Sequence, residues 1–278
     1  MVIDCHTHVF PPWIAPDRAK YLAADAVFKE LYTSPNAKLA TAEDLITSMD
    51  RDGIDMSVAV NLSWRSHELC GRTNDYIMES VARYPQRLIG FGTVDLSSTS
   101  AALREVERCA RGGLKGIGEM RLDPASIESP PLAECLTAIA ERGLLLLVHA
   151  SEPVGHQYAG KGGLTPERLY PMIARFPKLR IMAAHWGGGL PFYALMPEVQ
   201  AALGNVYFDT AASPFLYRTD VYRQAIELIG ADHILFGSDF PLLGQGRVLK
   251  EIRSQGLPAD QERLILGGNA ARLLGLTE

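Results

Sequence analysis

Much that would mark a membrane protein, a nucleic-acid binder or a disulfide scaffold is missing from this chain. Its longest apolar run, Leu144 to Val148, is the length of a strand, far short of the ~20 residues a spanning helix needs. Lysine and arginine number 27 against 32 acidic residues, a net charge of −5, and no basic run occurs. A phosphate backbone would find little to bind. Cysteine is limited to Cys5, Cys70, Cys109 and Cys135, scattered and without a Cys-x-x-Cys spacing, which suits reduced thiols better than disulfides. No Gly-x-Gly-x-x-Gly follows the first apolar stretch, which argues against a doubly wound dinucleotide-binding sheet. Low-complexity segments, sharp repeats and domain boundaries are absent as well. Histidines of interest begin at position 6, so cleavage of a leader would remove them, and a cytoplasmic location is expected.

What is present is an ordinary globular composition, 47% hydrophobic and 21% charged, arranged as alternating strand-like and helix-like segments. Strands are expected at the start of the chain and at Ile54–Val60, Leu88–Val94, Leu114–Met120, Leu144–Val148, Leu179–Ala184, Val206–Asp209 and Ile234–Gly237. Helical patterns separate them, among them Asn74–Tyr84, Ala101–Arg111, Leu132–Arg142, Pro166–Phe176 and Asp220–Ile229, several ending at glycine or proline. Continuous apolar strands such as Leu-Leu-Leu-Leu-Val imply burial on both faces and a parallel sheet. Eight β/α units in 278 residues fit a single (β/α)8 TIM barrel spanning the whole chain. The stretch of about residues 9–40, rich in proline and aromatics, reads as an insertion after the first strand, a lid or a binding loop.

Barrels of this type place their chemistry at the carboxyl ends of the strands. The first strand carries Asp4-Cys5-His6-Thr7-His8. Side chains alternate along a strand, so His6 and His8 share a face, Asp4 lies one step deeper on it, and Cys5 points away. Later strand ends bring Glu119, His149, His185 and Asp239. Several imidazoles and a carboxylate around one axis suit a divalent cation with a position left open for water. For Glu119, an ion pair with Arg121 is the structural alternative. Substrate contacts are expected from the mouth-side loops: Trp64 and Arg65, Arg121, and Trp186, with the arginines favouring an anionic small molecule. His156 and Gly160-Lys161-Gly162-Gly163 could form a flap, His67 stands on a mouth-side loop, and His233 reads as structural.

The string Val-Ile-Asp-Cys-His-Thr-His, the histidines after strands five and six, Phe-Gly-Ser-Asp-Phe-Pro at strand eight and the closing Gly268 to Gly275 segment resemble the amidohydrolase superfamily. They resemble most its branch of aminocarboxymuconate-semialdehyde decarboxylase-like, TIM-barrel metal-dependent hydrolases. The resemblance covers essentially the whole chain. It implies a metal held by His6, His8, His149 and Asp239, with His185 near the reacting group. Gly-Ile-Gly-Glu119-Met-Arg-Leu-Asp is similar instead to the TatD-like deoxyribonuclease branch, where the matching glutamate bridges two metals. That similarity would make the site binuclear, with His185 on the second ion.

The leading expectation is a hydrolase of an amide, lactone or ester, using water activated on one or two ions, zinc first and manganese second. Asp239 would move the water's proton and His185 would polarise the reacting group. The same residues serve the alternative, decarboxylation or hydration of an unsaturated or aromatic acid. A non-catalytic barrel is the third reading, disfavoured by the complete ligand set. No nucleic acid or membrane partner is expected, and a homodimer is left open. Asp209, ending strand seven, would either orient a histidine or cap the following turn.

Overall fold

The computed structural model describes residues 1–123 and 127–276. Eight parallel strands, β1 Ile3–His8, β2 Met56–Val60, β3 Leu88–Gly92, β4 Gly116–Met120, β5 Leu145–Val148, β6 Ile181–Ala183, β7 Val206–Asp209 and β8 Ile234–Leu235, pair in chain order. Helices alternate with them, giving the expected (β/α)8 barrel. The seam between β8 and β1 is not a regular ladder. It is closed by the bonds Cys5 N–Phe236 O, Asp239 N–His6 O and His8 N–Phe240 O, at 2.8, 3.0 and 2.6 Å.

Two apolar layers follow from strand alternation. Val58, Val60, Ile89, Phe91, Leu145 and Leu147 fill the barrel interior, closed at the bottom by Ala270 and Leu273 of the helix Asn269–Leu274. The opposite faces, with Ile117, Leu146, Val148, Ile181 and Phe208, pack against the surrounding helices. Gly116 belongs to the inner layer by necessity: a Cβ there would stand 2.6 Å from the Phe91 ring.

Two strands break the alternation. Between Asp4 and Thr7, β1 advances three residues while its partner advances two, from Ser57 to Ala59. Between Ile117 and Met120, β4 advances three while β5 advances two, from Leu146 to Val148. Each strand therefore carries one extra residue, a β-bulge, a device common at barrel rims beside active sites. In β1 the bulge overturns part of the expected parity. Cys5 packs inside the barrel with Ile3 instead of pointing out of it. Asp4 turns to the outside, where its carboxylate meets Gln245. His6 and His8 do share the inner face, because both lie beyond the extra residue.

The segment between β1 and β2 is more ordered than its sequence suggests. It contains α1 Arg18–Ala24 and α2 Ala26–Tyr32. Asp25 caps α2 through Phe28 N at 2.9 Å, and its other oxygen accepts from Arg65 N at 2.7 Å. Phe10, Ile14, Tyr21 and Phe28 form a separate core with Leu62, Trp64 and Leu69. Phe28 stacks on Trp64 with ring centroids 5.3 Å apart. A capping box starts α3 Ala42–Asp52, Thr41 and Asp44 exchanging bonds. α4 His67–Arg83 begins two turns before the expected Asn74, because Ser66 caps it through Leu69 N. Among the described residues, no helix is long and apolar enough to cross a membrane.

Candidate metal centre and substrate cavity

The barrel mouth gathers side chains from six strand ends. Asp209, fully buried at the end of β7, organises them. One of its oxygens accepts from His6 Nδ1 at 2.8 Å; the other accepts from the backbone N–H groups of His185 and Ala211 at 2.9 and 3.0 Å. It therefore orients a histidine and caps the following turn at once. With Nδ1 engaged by Asp209, His6 turns its Nε2 toward the barrel axis.

Four ligand atoms surround that axis. His6 Nε2 is 3.1 Å from His8 Nε2, 3.8 Å from Glu119 Oε2 and 3.7 Å from Asp239 Oδ1. His8 Nε2 is 3.6 Å from Glu119 Oε2 and 3.3 Å from Asp239 Oδ1. Donors bound at ~2.1 Å to one ion stand roughly 3.0–3.5 Å apart, close to this spacing. Imidazole nitrogens and carboxylate oxygens that converge so closely repel unless a cation or protons lie between them. Among the described residues, His6, His8 and Glu119 are close enough to share a divalent cation, and so are Glu119, His149 and His185.

Glu119 also faces a second pair. Its Oε1 is 2.9 Å from His149 Nδ1 and 3.4 Å from His185 Nε2. His149 is locked in this orientation from behind: its Nε2 donates to Gly160 O and Ser151 Oγ, both at 3.1 Å. Glu119 reaches the axis because of the β4 bulge, and Gly118 (φ +146°) makes room for it: a Cβ there would stand 2.2 Å from Leu147 O. The ion pair with Arg121 considered above does not form. Arg121 Nη2 instead donates to Gly160 O at 3.0 Å and lies 3.3 Å from Glu30 of α2. Among the described residues, three that line the cavity hold left-handed backbone conformations, His185, Ala212 and Asp239, with φ between 56° and 66°. Such non-glycine strain of ~1–3 kcal/mol per residue clusters where function demands it.

The electrostatics follow from packing charges into a buried space. Burial opposes ionisation of Glu119, but the charges of His149 and His6 outweigh it and hold this carboxyl well below the usual range. Asp239 is likewise lowered, burial being overcome by the hydrogen bond to His8 and the charge of His6. Burial pulls His6 and His185 down, yet neighbouring carboxylates win at both. His6 ends well above its ordinary value and His185 at about 9. His149 is lowered, burial dominating over Glu119. One prediction follows for the metal-free protein. The His185 pKa of about 9 exceeds its unperturbed 6.5, so its stabilising contribution is complete below pH 6.5 and disappears as pH rises through 9. Thermal melts of chelator-treated protein should show a falling midpoint over that window; a flat profile would contradict it.

Above the donors lies a cavity of about 400 Å³, within the usual range for small-molecule sites. His8, Glu119, His149, His185 and Asp239 form its floor, and Leu31, Tyr32, Leu62, Phe215, Leu216 and Leu242 its largely apolar walls. Arg121, Lys38, His156 and Tyr158 supply polar groups. Of the expected substrate contacts, only Arg121 lines it. Trp64 is fully buried and donates to Asn61 Oδ1 at 2.7 Å; Trp186 is fully buried against Tyr222 and donates to Ser213 Oγ at 2.7 Å. Their indoles pack loops beneath the cavity instead of facing it. Arg65 Nη2 donates to Arg121 O at 3.1 Å and so braces the residue that does reach the cavity. His67 bonds Ser97, and His233 bonds Val206 O at 2.7 Å, a structural role. Tyr32, one of the aromatics of the insertion, lines the cavity although the sequence does not single it out as a substrate contact. Its phenol pKa is raised by burial and by the charges of Asp239 and Glu119, and its ring stacks on Phe28 at 4.9 Å. Nothing in a residue-type pattern could place it there, since the insertion has no strand period to follow.

A parallel barrel with such a donor cluster at its carboxyl mouth is a metal-dependent barrel enzyme by class. The chain belongs to the amidohydrolase family, whose profile matches residues 3–276. It is 23% identical to 2-amino-3-carboxymuconate-6-semialdehyde decarboxylase of Dictyostelium discoideum, over 99% of this chain and 91% of that protein. Among solved structures it resembles 5-carboxyvanillate decarboxylase of Sphingomonas paucimobilis, with TM-score 0.83 and 21% identity over 99% of each chain. It also resembles the Novosphingobium aromaticivorans 5-carboxyvanillate decarboxylase complexed with manganese and 4-hydroxy-3-methoxy-5-nitrobenzoic acid, with TM-score 0.81 and 18% identity over 99% of this chain and 96% of that one. These similarities overturn the expected amide, lactone or ester hydrolysis: the relatives are decarboxylases of carboxylic acids. The hydrolytic expectation failed because the same ligands serve both reactions, and residue types alone do not separate them.

Proposed function

We propose that this chain is a divalent-metal-dependent decarboxylase of a small aromatic or unsaturated carboxylic acid. The carrying observation is the convergence of His6, His8, Glu119 and Asp239 on one gap below an apolar cavity, in a chain related to decarboxylases. One ion held by these four groups would supply Lewis acidity toward a bound carboxylate or phenolate. Manganese, which the Novosphingobium structure contains, replaces the expected zinc in this reading, and its liking for carboxylate donors agrees with the oxygens of Glu119 and Asp239. One ion also replaces two in this reading, with Glu119 Oε1 left facing His185 Nε2.

The chain's own residues then divide the work. Arg121, 9% exposed on the cavity wall, holds an anionic group of the substrate. Leu62, Phe215 and Leu242 hold a flat ring and exclude water. Loss of CO₂ breaks the bond between the carboxyl carbon and its neighbour and leaves the electron pair on that neighbour, which must gain a proton. Glu119 and Asp239 raise the pKa of His185 against its burial in the metal-free protein, and His185 lies on the cavity floor. It donates that proton. Residues 1–278 act as one domain in this reading, with 9–40 as a packed wall of the site.

The test is CO₂ release from manganese-loaded protein across a panel of hydroxylated benzoates and unsaturated dicarboxylic acids, 5-carboxyvanillate included, with metal content measured beside it. Turnover of at least one acid with about one ion per chain is expected. Absence of CO₂ from every acid, with the metal bound, sinks the proposal.

A further inference from the structure

Asp4 is the one carboxylate of the β1 motif that the chemistry above does not use, and it lies on the outer wall of the barrel. It is fully buried. Its Oδ1 accepts from two backbone N–H groups, His6 N at 3.2 Å and Ser238 N at 3.0 Å. Its Oδ2 accepts from Gln245 Nε2 at 2.9 Å, and the same nitrogen donates to Ser57 Oγ at 3.0 Å. These bonds sit at the seam where β8 meets β1 without a ladder. The β1 bulge shifts the register there, and His6 N and Ser238 N go to this carboxylate instead of to strand carbonyls. Unpaired, two buried N–H groups would be costly. One of these donors belongs to His6, and the other immediately precedes Asp239.

We propose that Asp4 is a positioning residue: from outside the barrel it pins the backbones of β1 and β8 to one carboxylate oxygen and so sets His6 and Asp239 at the separation a cation requires. The inference rests on the reading of His6 and Asp239 as holders of the ion. Gln245 is the second part of the device. It orients the carboxylate, and its own Oε1 is buried without a partner. That spare acceptor predicts a specific rescue. In Asp4→Asn, the amide oxygen keeps both backbone bonds, and rotation of the Gln245 amide turns Oε1 toward the new NH₂.

The experiment is Mn²⁺ titration followed by electron paramagnetic resonance, with thermal melts, on wild type, Asp4→Asn, Asp4→Ala and Gln245→Met. Asp4→Ala should bind Mn²⁺ ~10–100-fold more weakly, as loss of support around a ligand typically does. Its bound-ion spectrum should broaden and its kcat fall, with KM little changed. Asp4→Asn should stay within about threefold of wild type, as a hydrogen-bonding role without need of charge requires. Gln245→Met should fall between them. If folded Asp4→Ala binds Mn²⁺ with wild-type affinity and spectrum, its role is stability alone and the proposal is overturned. Should Asp4→Ala not fold, wild-type Mn²⁺ binding by Gln245→Met overturns it, and so does failure of Asp4→Asn to rescue. A wild type that binds no Mn²⁺ removes the metal reading itself, an outcome distinct from all of these.

Discussion

Glu119→Gln is expected to weaken Mn²⁺ binding by at least ~100-fold, more than the usual loss of a supporting residue, and to abolish turnover at ordinary metal concentrations. The reason is the double engagement of this carboxylate. Oε2 stands among the donors of His6 and His8, while Oε1 meets His149 and His185. Glutamine keeps the shape but replaces one oxygen with an NH₂ that points a hydrogen at a lone pair or at the ion. It also removes the negative charge that raises His6 and His185. Isothermal titration with Mn²⁺ checks this, and a dissociation constant within threefold of wild type would refute the assignment. Removing the carboxylate should also lower the pH at which metal-free protein loses the His185 contribution, which melts of the same variant would show.

His185→Asn is expected to do the opposite: leave the ion in place and stop the chemistry. His185 does not belong to the group of four donors around the axis, and its Nδ1 is 3.2 Å from Ala211 O, which fixes its ring. Loss of a proton donor typically costs ~10²–10⁴ in rate, so kcat should fall by about that range with bound manganese near one equivalent. The pH profile gives an independent check. Wild-type turnover should decline on the alkaline side as His185 gives up its proton, and the variant's residual rate should lack that limb. A variant that turns over normally, or that loses its metal, would remove His185 from the proton-donating role.

The sequence carried the architecture well because the relevant signals are local. Apolar strands separated by amphipathic helices each report their own burial, and eight such units leave little choice of topology. The site's ligand types were also readable, since each stands at the end of a recognisable strand. What could not be read were contacts set by neighbours. Trp64 and Trp186 look like ligand-facing aromatics at loop positions, but their N–H groups are taken by Asn61 and Ser213. Tyr32 reaches the cavity from a segment with no strand register to predict it.

The amino-acid order by itself determined the barrel, the facing pair His6 and His8, and the set of imidazoles and carboxylates at one mouth. Tertiary structure alone decided which of their neighbours join them. One extra residue in β1 and another in β4 reset the alternation, sending Asp4 outward, drawing Cys5 inside and swinging Glu119 to the axis. Strand parity is a property of one chain segment, whereas a bulge exists only relative to the strand beside it.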